Sequence, residues 1–469
     1  MTDWIEDLRA EFGDNRVVTE GAELAARSLD CWPVAIKQNQ QGRLPYRPEA
    51  IFQPRHAEEV PRLLAWANRH GIPVTPRGAG SGVVGAAIPV QGGIVLDLSN
   101  LDRILILDET NLLVRAEAGV MGHRLEAELN ARGYTLNHSP QSLDRSTVGG
   151  WVATRATGQF SSRWGGIEDM LLALTVALPA GEVIETRLAP RAALGPELRE
   201  LFVGAEGTLG VVLDATLKIS PLPERRILDT LAFASVPAGL EAMRRLSRPG
   251  LRPFLVRFYD EDESRYLRAE GATAGEENLF LVGFEGPERV AGAEYEAGME
   301  LLLVQGGVRL GPEIAERWMA RRFDFSTVEN RLAQPGGLAE TIEIAHFWDS
   351  IEETYRALKR ALTPLAEEAL GHFSHAYPQG VSLYMILLGW ESDAKAAEQR
   401  LGQIWETAMR VSQEQGAAIS HHHGVGLARQ AYLRGELGAS YMVLERIKTA
   451  LDPRGILNPG KLGFERKER

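Results

Sequence analysis

The sequence predicts a protein of the α+β class with two lobes, and three observations lead to this prediction. Strands and helices alternate through the first half of the 469 residues, which is typical of an α/β lobe. That pattern breaks at Pro221-Leu222-Pro223-Glu224, after which new strands and long helices begin. A chain of this length also exceeds the usual size of a single hydrophobic core, so we expect two cores.

We divide the chain into four parts. Residues 1–45 form a helical lead-in, because apolar residues recur there at helical spacing. Residues 46–224 form the first lobe, and residues 225–430 form the second. Residues 431–469 form a C-terminal segment that we expect to pack back near the first lobe.

Glycine and proline separate the predicted elements of the first lobe. In chain order, these elements are a helix at 57–70, a strand at 72–75, a glycine-rich loop at 76–87, strands at 93–98 and 112–117, a helix at 121–132 closed by Gly133, and a hairpin of strands 172–178 and 182–185. The second lobe is predicted to hold an antiparallel sheet with helices beside it. Its clearest strands are 254–258, 279–284 and 381–388, and its long helical stretches are 348–369 and 393–415.

Composition excludes several classes of function. The net charge of −12 argues against binding to nucleic acid or to an anionic membrane surface. The single cysteine, Cys31, excludes internal disulfides and cysteine-rich metal sites, and we expect it to be a half-buried small side chain. There is no secretory signal at the N-terminus and no apolar run long enough for a transmembrane segment. A cytoplasmic protein is therefore predicted.

The loop Pro76-Arg77-Gly78-Ala79-Gly80-Ser81-Gly82 follows a predicted strand. Glycines let backbone N–H groups approach a phosphate closely, and the serine adds a donor. The ligand indicated is a pyrophosphate, and the alternative is a plain strand-to-strand turn. The loop lacks the signature of a Rossmann fold, which needs an acidic residue at the ribose position, and it lacks the Lys of a Walker A loop.

Two further segments favour a dinucleotide. Residues 139–158 are dense in hydroxyls and glycines, and residues 204–212 again place small residues side by side. Both patterns suit a long, flat ligand with polar edges.

The run Ser420-His421-His422-His423-Gly424-Val425-Gly426 contains three of the ten histidines. If the run were a strand, His421 and His423 would share one face. A structural role, a metal site and acid–base chemistry all remain open for these residues. We favour acid–base chemistry because histidine titrates near neutral pH, and because no further metal ligands stand at a fixed spacing.

Tyr384 and Arg257 are polar residues within apolar strands. A buried phenol usually has a hydrogen-bond partner, and a buried guanidinium needs a partner or a ligand. Core packing is the alternative for Tyr384, and a solvent-facing position is the alternative for Arg257. A catalytic tyrosine would need its phenolate favoured by a positive charge, which Arg257 or a protonated histidine could supply.

Together the three small-residue segments resemble the FAD-binding lobe of the vanillyl-alcohol oxidase / p-cresol methylhydroxylase superfamily, over about residues 45–225. The resemblance implies a two-part α/β FAD lobe of the p-cresol methylhydroxylase type and an α+β cap lobe over the flavin ring. It also implies that FAD is held by Pro76, Arg77, Gly78, Ala79, Gly80, Ser81 and Gly82 around the pyrophosphate, by Gln141, Ser142, Leu143, Asp144, Arg145, Ser146, Thr147, Thr154, Arg155, Ala156 and Thr157 along the ribityl chain and flavin, and by Glu206, Gly207, Thr208, Leu209, Gly210, Val211 and Val212 at the adenosine or flavin edge.

Many members of this superfamily attach the flavin covalently through histidine or cysteine. Neither residue occurs in the loop at 76–87, so we predict non-covalent FAD.

One branch, the alkyldihydroxyacetonephosphate (alkylglycerone-phosphate) synthases, is similar over nearly the whole chain from about residue 45. The similarity lies in residues 142–152, in Gly166-Ile167-Glu168-Asp169, in Ser420–Gly426 and in the strands of Tyr384 and Arg257. It implies that Tyr384 is the acid/base, that the histidine run is needed for activity and that Arg257 lies near the flavin. In that family a fatty alcohol replaces the acyl chain of a dihydroxyacetone phosphate ester, through a covalent flavin N5 adduct and without net redox change.

The family also has an arginine that binds phosphate in a helix before a Thr-Glu-Thr-like segment. An ungapped register places Glu329 there, and Arg331 takes the position after a small shift. The first glycine loop and the ending Leu457-Asn458-Pro459-Gly460-Lys461-Leu462 are closer to the D-lactate and glycolate dehydrogenase branch.

Three hypotheses follow from these resemblances: a synthase-like enzyme, an FAD-linked oxidase or dehydrogenase of a 2-hydroxy acid, and a flavoprotein without chemistry. The intact set of Tyr384, Arg257 and the three histidines argues against the last. The predicted partner is a small-molecule or lipid-like oxygenated substrate, with no resident metal. The oligomeric state is open, a homodimer included.

Overall fold

The computed structural model describes residues 3–268 and 277–465. Its strands β1 to β18 are, in chain order, Val17–Val18, Ala50–Phe52, Val74–Arg77, Ile94–Asp97, Ile104–Asp108, Leu113–Glu117, Tyr134–Thr135, Leu171–Ala177, Val183–Glu185, Val211–Lys218, Ser220–Pro221, Arg225–Phe233, Leu255–Tyr259, Asn278–Gly286, Val308–Gly311, Gly337–Phe347, Glu368–Ser374 and Gly380–Trp390. Its helices α1 to α17 are Asp3–Phe12, Gly21–Arg27, Pro33–Gln40, Glu59–His70, Gly122–Asn130, Val148–Thr154, Ser161–Trp164, Ile167–Met170, Val236–Leu246, Glu261–Leu267, Glu288–Val304, Glu313–Arg321, Ser326–Ala333, Ile351–Leu362, Ala394–Glu414, Gly426–Leu437 and Tyr441–Leu451.

The first half of the chain folds around two sheets. The first has the order β1-β2-β4-β3, and both β2 and β3 run parallel to β4. The second has the order β5-β6-β10-β8-β9, and its neighbouring strands are antiparallel. The side chains of both sheets meet in one large hydrophobic core. This arrangement confirms a two-part α/β lobe.

The second half is built on one antiparallel sheet of seven strands, in the order β15-β12-β14-β13-β17-β18-β16. Helices α9, α11, α14 and α15 pack against it and form a second hydrophobic core. The predicted strands and antiparallel sheet of the second lobe are therefore confirmed. The other face of the sheet, near β13, β17 and β18, is turned towards the first lobe.

One predicted helix, residues 348–369, is too long. The helix α14 ends at Leu362, a short 3-10 turn at Thr363–Leu365 contains Pro364, and the chain then enters β17. Proline cannot continue the hydrogen-bonded helix. In addition, β17 pairs with β13 on one side and β18 on the other, so these residues satisfy their backbone groups in the sheet.

The residues that follow α17 return to the first lobe. Leu457 forms a parallel bridge with Val74 of β3. The buried Lys461 donates a hydrogen bond from Nζ to the carbonyl of Ile88 at 2.6 Å. The end of the chain therefore packs on the first lobe. Within the described residues, no helix combines the length and the apolar character needed to cross a membrane.

Candidate active site

A cavity of about 690 Å³ lies between the two lobes. Its first-lobe wall consists of the loop after β3 and of segments near residues 140–159 and 206–212. Its second-lobe wall comes from β13, β16, β17, β18 and α13, and from the loop before α16. The volume falls in the range of pockets that hold cofactors and small molecules.

The loop after β3 leaves little room for a side chain at two glycine positions. A Cβ atom at Gly78 would lie 2.3 Å from Oγ1 of Thr147, and one at Gly80 would lie 2.0 Å from Nη2 of Arg77. Gly80 also has a φ of +70°, which glycine adopts freely. The backbone of this loop can therefore approach a phosphate closely, and the cradle fits the pyrophosphate of FAD.

Most residues predicted to hold FAD line this cavity. They are Pro76 and Arg77 at the end of β3, Gly78, Ala79, Gly80, Ser81 and Gly82 in the loop, Gln141, Ser142, Arg145, Ser146, Thr147, Thr154, Ala156 and Thr157 in the second segment, and Glu206, Gly207, Gly210, Val211 and Val212 in the third.

Five residues predicted to hold FAD do not line the cavity. Leu143 and Leu209 belong to the hydrophobic core. The buried hydroxyl of Thr208 donates to a backbone carbonyl at 2.7 Å. Asp144 and Arg155 are exposed to solvent. These corrections share one reason: in turns and helix ends, neighbouring residues point in different directions, so a contiguous motif cannot place every side chain at one ligand.

Two lining residues use their side chains to hold the protein together. Nη1 of Arg77 donates to the carbonyl of Leu29 at 2.7 Å. The carboxylate of Glu206 accepts the N–H groups of Val425 at 2.6 Å and Gly426 at 3.0 Å. Glu206 therefore ties the end of the histidine run to the first lobe.

Four polar side chains of the second lobe lie in one row across its sheet. Tyr259 of β13 lies opposite His372 of β17, and His372 lies opposite Tyr384 of β18. Tyr384 in turn lies opposite Glu343 of β16. Directly opposed residues share a face of the sheet and lie within contact distance. The rings of His372 and Tyr384 stack with their centroids 5.0 Å apart.

The hydroxyl of Tyr384 lies 2.9 Å from Nε2 of His423. Burial, and then the negative charge of Glu343, raise the pKa of Tyr384 well above its ordinary value. Burial lowers the pKa of His423 to about 4. Both groups are thus neutral near neutral pH. Arg257 favours the phenolate of Tyr384, as expected, but the cost of desolvating the phenolate exceeds this attraction. His423 is neutral and adds no positive charge.

Arg257 reaches the cavity from β13. Its Nε donates to the hydroxyl of Tyr259 at 2.7 Å, and its Nη2 donates to Nε2 of His372 at 2.8 Å. The opposite nitrogen of His372, Nδ1, donates to the carboxylate of Glu263 at 2.8 Å. The guanidinium also lies 5.0 Å from the ring of Trp318. No carboxylate of the described residues forms an ion pair with Arg257, so its charge is available to an anionic ligand.

The histidine run is a bend, so the shared face that a strand would give His421 and His423 does not apply. The carboxylate of Glu343 accepts the backbone N–H groups of His421, of His422 at 3.2 Å and of His423 at 3.0 Å. Three successive N–H groups can converge on one carboxylate only if the chain turns. His421 and His422 therefore meet, with their Nδ1 atoms 2.9 Å apart. His422 and His423 line the cavity, whereas His421 lies behind them.

Glu343 is in turn paired with Arg429 of α16. Nη2 of Arg429 lies 2.9 Å from Oε1 of Glu343, and both side chains are completely buried. Burial raises the pKa of the Glu343 carboxyl, but the positive charge of Arg429 and the surrounding groups outweigh it, and the net pKa lies well below the ordinary value. The carboxylate is therefore a fixed negative charge beneath the histidines.

The sequence did not predict a role for Glu343, Arg429, His372 or Glu263. Glu343 did carry a signal, because it is one of two acidic residues in the strand Gly337–Phe347, where a buried charge needs a partner. The other three lie in segments whose pattern gives no indication that they reach the cavity.

A metal remains an alternative for part of this cluster. The ring nitrogens of His375, His421 and His422 lie within 4.8 Å of one another, so these three residues could ligate an ion. The contacts in the cluster are nevertheless those of hydrogen bonds. Nδ1 of His375 lies 2.6 Å from Oγ of Ser161, and the two Nδ1 atoms of His421 and His422 face each other. We keep the prediction that no metal is needed.

Arg331 does not reach the cavity. Its guanidinium lies 5.3 Å from the ring of Trp390, whereas Glu329 occupies the cavity wall and is ion-paired with Arg145. The side chains at 329 and 331 leave α13 in different directions because successive helical residues are about 100° apart. The predicted role of Arg331 in binding substrate is therefore not supported by its position.

Cys31 is exposed and lies on the cavity wall, so the expectation of a half-buried packing residue is wrong. The residue precedes α3, and its backbone N–H donates to the carbonyl of Gly82 at 2.9 Å. That bond holds Cys31 against the glycine loop.

Comparisons with known proteins agree with the fold and the cofactor. A family model described as FAD binding domain matches residues 48–187, and one described as FAD linked oxidases, C-terminal domain, matches residues 222–462.

Three curated relatives span most of this chain. An uncharacterized FAD-linked oxidoreductase of Escherichia coli, YgcU, is 30% identical, covering 98% of this chain and 97% of its own. The alkyldihydroxyacetonephosphate synthase of Trypanosoma brucei brucei is 28% identical, covering 92% of this chain and 75% of its own. A D-lactate dehydrogenase of Anaerostipes hadrus is 28% identical, covering 89% of this chain and 90% of its own.

Two solved structures share the fold. An alkyldihydroxyacetonephosphate synthase has a TM-score of 0.83 at 22% identity, covering 98% of this chain and 85% of its own. A substrate-bound p-cresol methylhydroxylase has a TM-score of 0.83 at 18% identity, covering 98% of this chain and 96% of its own. At these identities the likeness establishes the fold alone.

Proposed function

Because this chain belongs to the FAD-linked oxidase family and FAD is its cofactor, we propose that it catalyses acid–base-assisted chemistry at an oxygenated carbon of an anionic substrate. One observation carries the proposal. Tyr384, His422, His423 and Arg257 come from distant parts of the second lobe and converge on the cavity that the predicted FAD segments also line. A structural role would not require these four side chains to share one cavity.

FAD, when bound, supplies the electron acceptor of an oxidation or, in synthase chemistry, the group to which the substrate carbon is attached. The chain supplies the remaining functions. Arg257 binds an anionic group of the substrate, because its charge has no acidic partner among the described residues and it is held in place by Tyr259 and His372.

Proton transfer falls to Tyr384 and the histidines. Tyr384 is a neutral phenol near neutral pH, so it acts as a hydrogen-bond donor or acid towards a substrate oxygen. Nε2 of His423 lies 2.9 Å from this hydroxyl and holds it in position by a hydrogen bond. Burial lowers the pKa of His422 to about 3, so His422 enters the reaction as a neutral imidazole that can give or take a proton at Nε2.

The first candidate reaction is that of the synthase relatives, in which an alkyl group replaces an acyl group on dihydroxyacetone phosphate. Its support is the shared cavity of Tyr384, Arg257 and the two histidines, together with the relative that is 28% identical over 92% of this chain. Apolar side chains of α3 and α13 at the cavity wall, such as Ile36 and Leu332, suit a lipid-like chain.

The second candidate is oxidation of a 2-hydroxy acid such as D-lactate or glycolate. The observation that favours it is Glu329, which stands in the cavity wall while Arg331 lies elsewhere. Without Arg331, a substrate phosphate would have to be bound by Arg257. A substrate carboxylate can be bound by a single arginine through two parallel hydrogen bonds, so Arg257 is sufficient for it.

The two candidates are separated by anaerobic titration of the purified yellow protein. D-lactate, glycolate and an acylated dihydroxyacetone phosphate are added in turn while the visible flavin spectrum is recorded. Loss of the flavin absorbance with a hydroxy acid supports oxidation. A spectral change with the phosphate ester that leaves the flavin oxidised after product release supports the synthase. No response to any of the three contradicts both substrate assignments.

A further inference from the structure

A chain of hydrogen bonds leads from the cavity towards the protein surface behind His422. Nδ1 of His422 lies 2.9 Å from Nδ1 of His421. Nε2 of His421 lies 2.8 Å from the hydroxyl of Tyr377. Tyr377 lies in the turn between β17 and β18, where it is partly exposed and its neighbours Pro378 and Gln379 are exposed. The bonds therefore join a cavity-lining ring to a partly exposed residue next to an exposed turn.

From this arrangement we infer that His422, His421 and Tyr377 form a proton relay, in which Tyr377 exchanges protons with bulk water and His422 exchanges them with the substrate. This inference rests on the proposed function, since a relay serves a site that moves protons. It assigns a role to Tyr377, which no sequence motif singled out, and it explains why His421 lies behind the cavity wall.

The backbone holds the three groups in position. Glu343 fixes the bend by accepting the N–H groups of both His421 and His422. Tyr377 is fixed from both sides, because its N–H donates to the carbonyl of Gly380 at 2.8 Å and its carbonyl accepts from Nε1 of Trp348 at 2.9 Å. These contacts keep the donor and acceptor atoms within hydrogen-bonding distance without a conformational change.

The Nδ1–Nδ1 contact restricts the tautomers of the two rings. One Nδ1 atom must carry the proton and the other must accept it, so two neutral rings hold opposite tautomers. If Nδ1 of His421 donates, Nε2 of His421 accepts from Tyr377, and Nε2–H of His422 faces the cavity as an acid. If Nδ1 of His422 donates, Nε2–H of His421 donates to Tyr377, and Nε2 of His422 faces the cavity as a base.

The relay converts one arrangement into the other with protons conserved. When Nε2 of His422 accepts a proton from the substrate, its Nδ1 proton passes to Nδ1 of His421. The Nε2 proton of His421 then passes to the oxygen of Tyr377, whose own hydroxyl proton leaves to bulk water. One proton enters the chain and one leaves it, and no ring remains charged. The reverse sequence delivers a proton to the substrate.

Two groups next to the relay complete its environment. The ring of His375 stacks on His421 with centroids 4.8 Å apart, and its Nδ1 lies 2.6 Å from Oγ of Ser161. His375 and Ser161 therefore form one hydrogen-bonded pair beside the relay.

The test uses the holoenzyme with histidine labelled at both ring nitrogens, and it does not depend on knowing the substrate. Nitrogen NMR, assigned by single substitutions among the ten histidines, reports the tautomer of each ring at neutral pH. We expect His421 and His422 to be neutral and to hold opposite tautomers. Tyr377→Phe should shift the Nε2 signal of His421 and the tautomer balance of both rings, whereas the matched control Tyr295→Phe, whose hydroxyl bonds to Asp229 far from the cavity, should shift neither.

Kinetics give the second readout. With a substrate found by the flavin titration, Tyr377→Phe should slow turnover at least tenfold and alter the solvent deuterium isotope effect, and added imidazole should restore part of the rate. His421→Leu should have the same effect, and it replaces Tyr377→Phe if the latter does not fold.

Four results would overturn the relay: equal tautomers for the two rings, a charged ring at neutral pH, ring signals that change on treatment with a chelator, or unimpaired turnover in Tyr377→Phe. If no substrate alters the flavin of the wild-type protein, the substrate proposal fails, and the NMR result alone decides the relay.

Discussion

Nη2 of Arg429 lies 2.9 Å from Oε1 of Glu343, and neither side chain is accessible to solvent. The same carboxylate accepts the backbone N–H groups of the three histidines. One buried ion pair thus fixes the loop that carries two of the cavity-lining histidines. Residues far from each other in sequence, on β16 and α16, hold this loop together.

Breaking this pair should destabilise the protein strongly. Glu343→Gln keeps the shape of the side chain but leaves the charge of Arg429 buried without a partner, which costs about 3–5 kcal/mol. The measurement is the free energy of unfolding in urea. Arg434→Ala, which removes an exposed pair with Glu445, is the control and should cost less than about 1 kcal/mol. Equal effects of the two substitutions would show that Glu343 does not organise the loop.

Tyr384→Phe should separate packing from catalysis. The substitution keeps the ring stacked on His372 and removes only the hydroxyl, so stability should change by about 1 kcal/mol at most. Turnover should fall by about two orders of magnitude or more if the phenol transfers a proton. Melting temperature, flavin content and turnover are measured together, with Tyr355→Phe as a partly buried control outside the cavity, whose hydroxyl bonds to Asp260.

Arg257→Lys provides a companion variant. An ammonium group cannot reproduce the planar guanidinium that contacts Tyr259, His372 and the ring of Trp318, so this change should also harm the reaction.

Full flavin content with unimpaired turnover in Tyr384→Phe would identify Tyr384 as a packing residue and remove the main support for the synthase candidate.

His422→Ala and His423→Ala should each leave FAD bound and lower turnover by about two orders of magnitude or more. Treatment of the wild-type protein with a chelator should change nothing, because the contacts between the rings are those of hydrogen bonds. Activity that disappears with the chelator and returns with a divalent metal would establish the cluster of His375, His421 and His422 as a metal site.

Acid precipitation should release all of the flavin as FAD. The glycine loop at 76–87 contains neither histidine nor cysteine, which is the reason for this prediction. Yellow colour that remains with the precipitated chain would contradict it. Because Cys31 lies on the cavity wall, Cys31→Ser would then show whether its thiol forms the bond.

His138 should make the protein lose stability in acid. Burial lowers its pKa from 6.5 to about 3, and its ring nitrogens have no hydrogen-bond partner among the described residues. The unfolded chain binds a proton below about pH 6.5 that the folded chain excludes, so stability is complete above that pH and falls as the pH drops.

His138→Phe tests this reasoning, because phenylalanine can keep the edge contact with Trp151 and cannot titrate. Relative to wild type, the variant should gain about 2 kcal/mol between about pH 8 and about pH 5, since one proton contributes about 1.4 kcal/mol per pH unit. Urea unfolding at the two pH values measures the gain. A stability difference that is the same at both pH values would show that His138 is not the titrating group.

The sequence by itself determined the two lobes and most strand and helix positions, because apolar periodicity and proline breaks are local patterns. Its runs of small residues indicated a dinucleotide, and the resemblance to a superfamily of flavoproteins implied that this ligand is FAD. The sequence also indicated Tyr384 and Arg257, because a polar residue inside an apolar strand is costly unless it has a partner. The histidine run stood out because three of the ten histidines are consecutive.

Only the tertiary structure decided which side chains meet. The register of the strands places Tyr259, His372, Tyr384 and Glu343 in one row. No pattern within a strand specifies that register, because it follows from the packing of the whole sheet. Tertiary packing also decides which side of α13 meets the cavity, so Glu329 lines it and Arg331 does not. The histidine run bends because Glu343 accepts its N–H groups, and Glu343 lies 77 residues before Ser420, which donates to the same carboxylate.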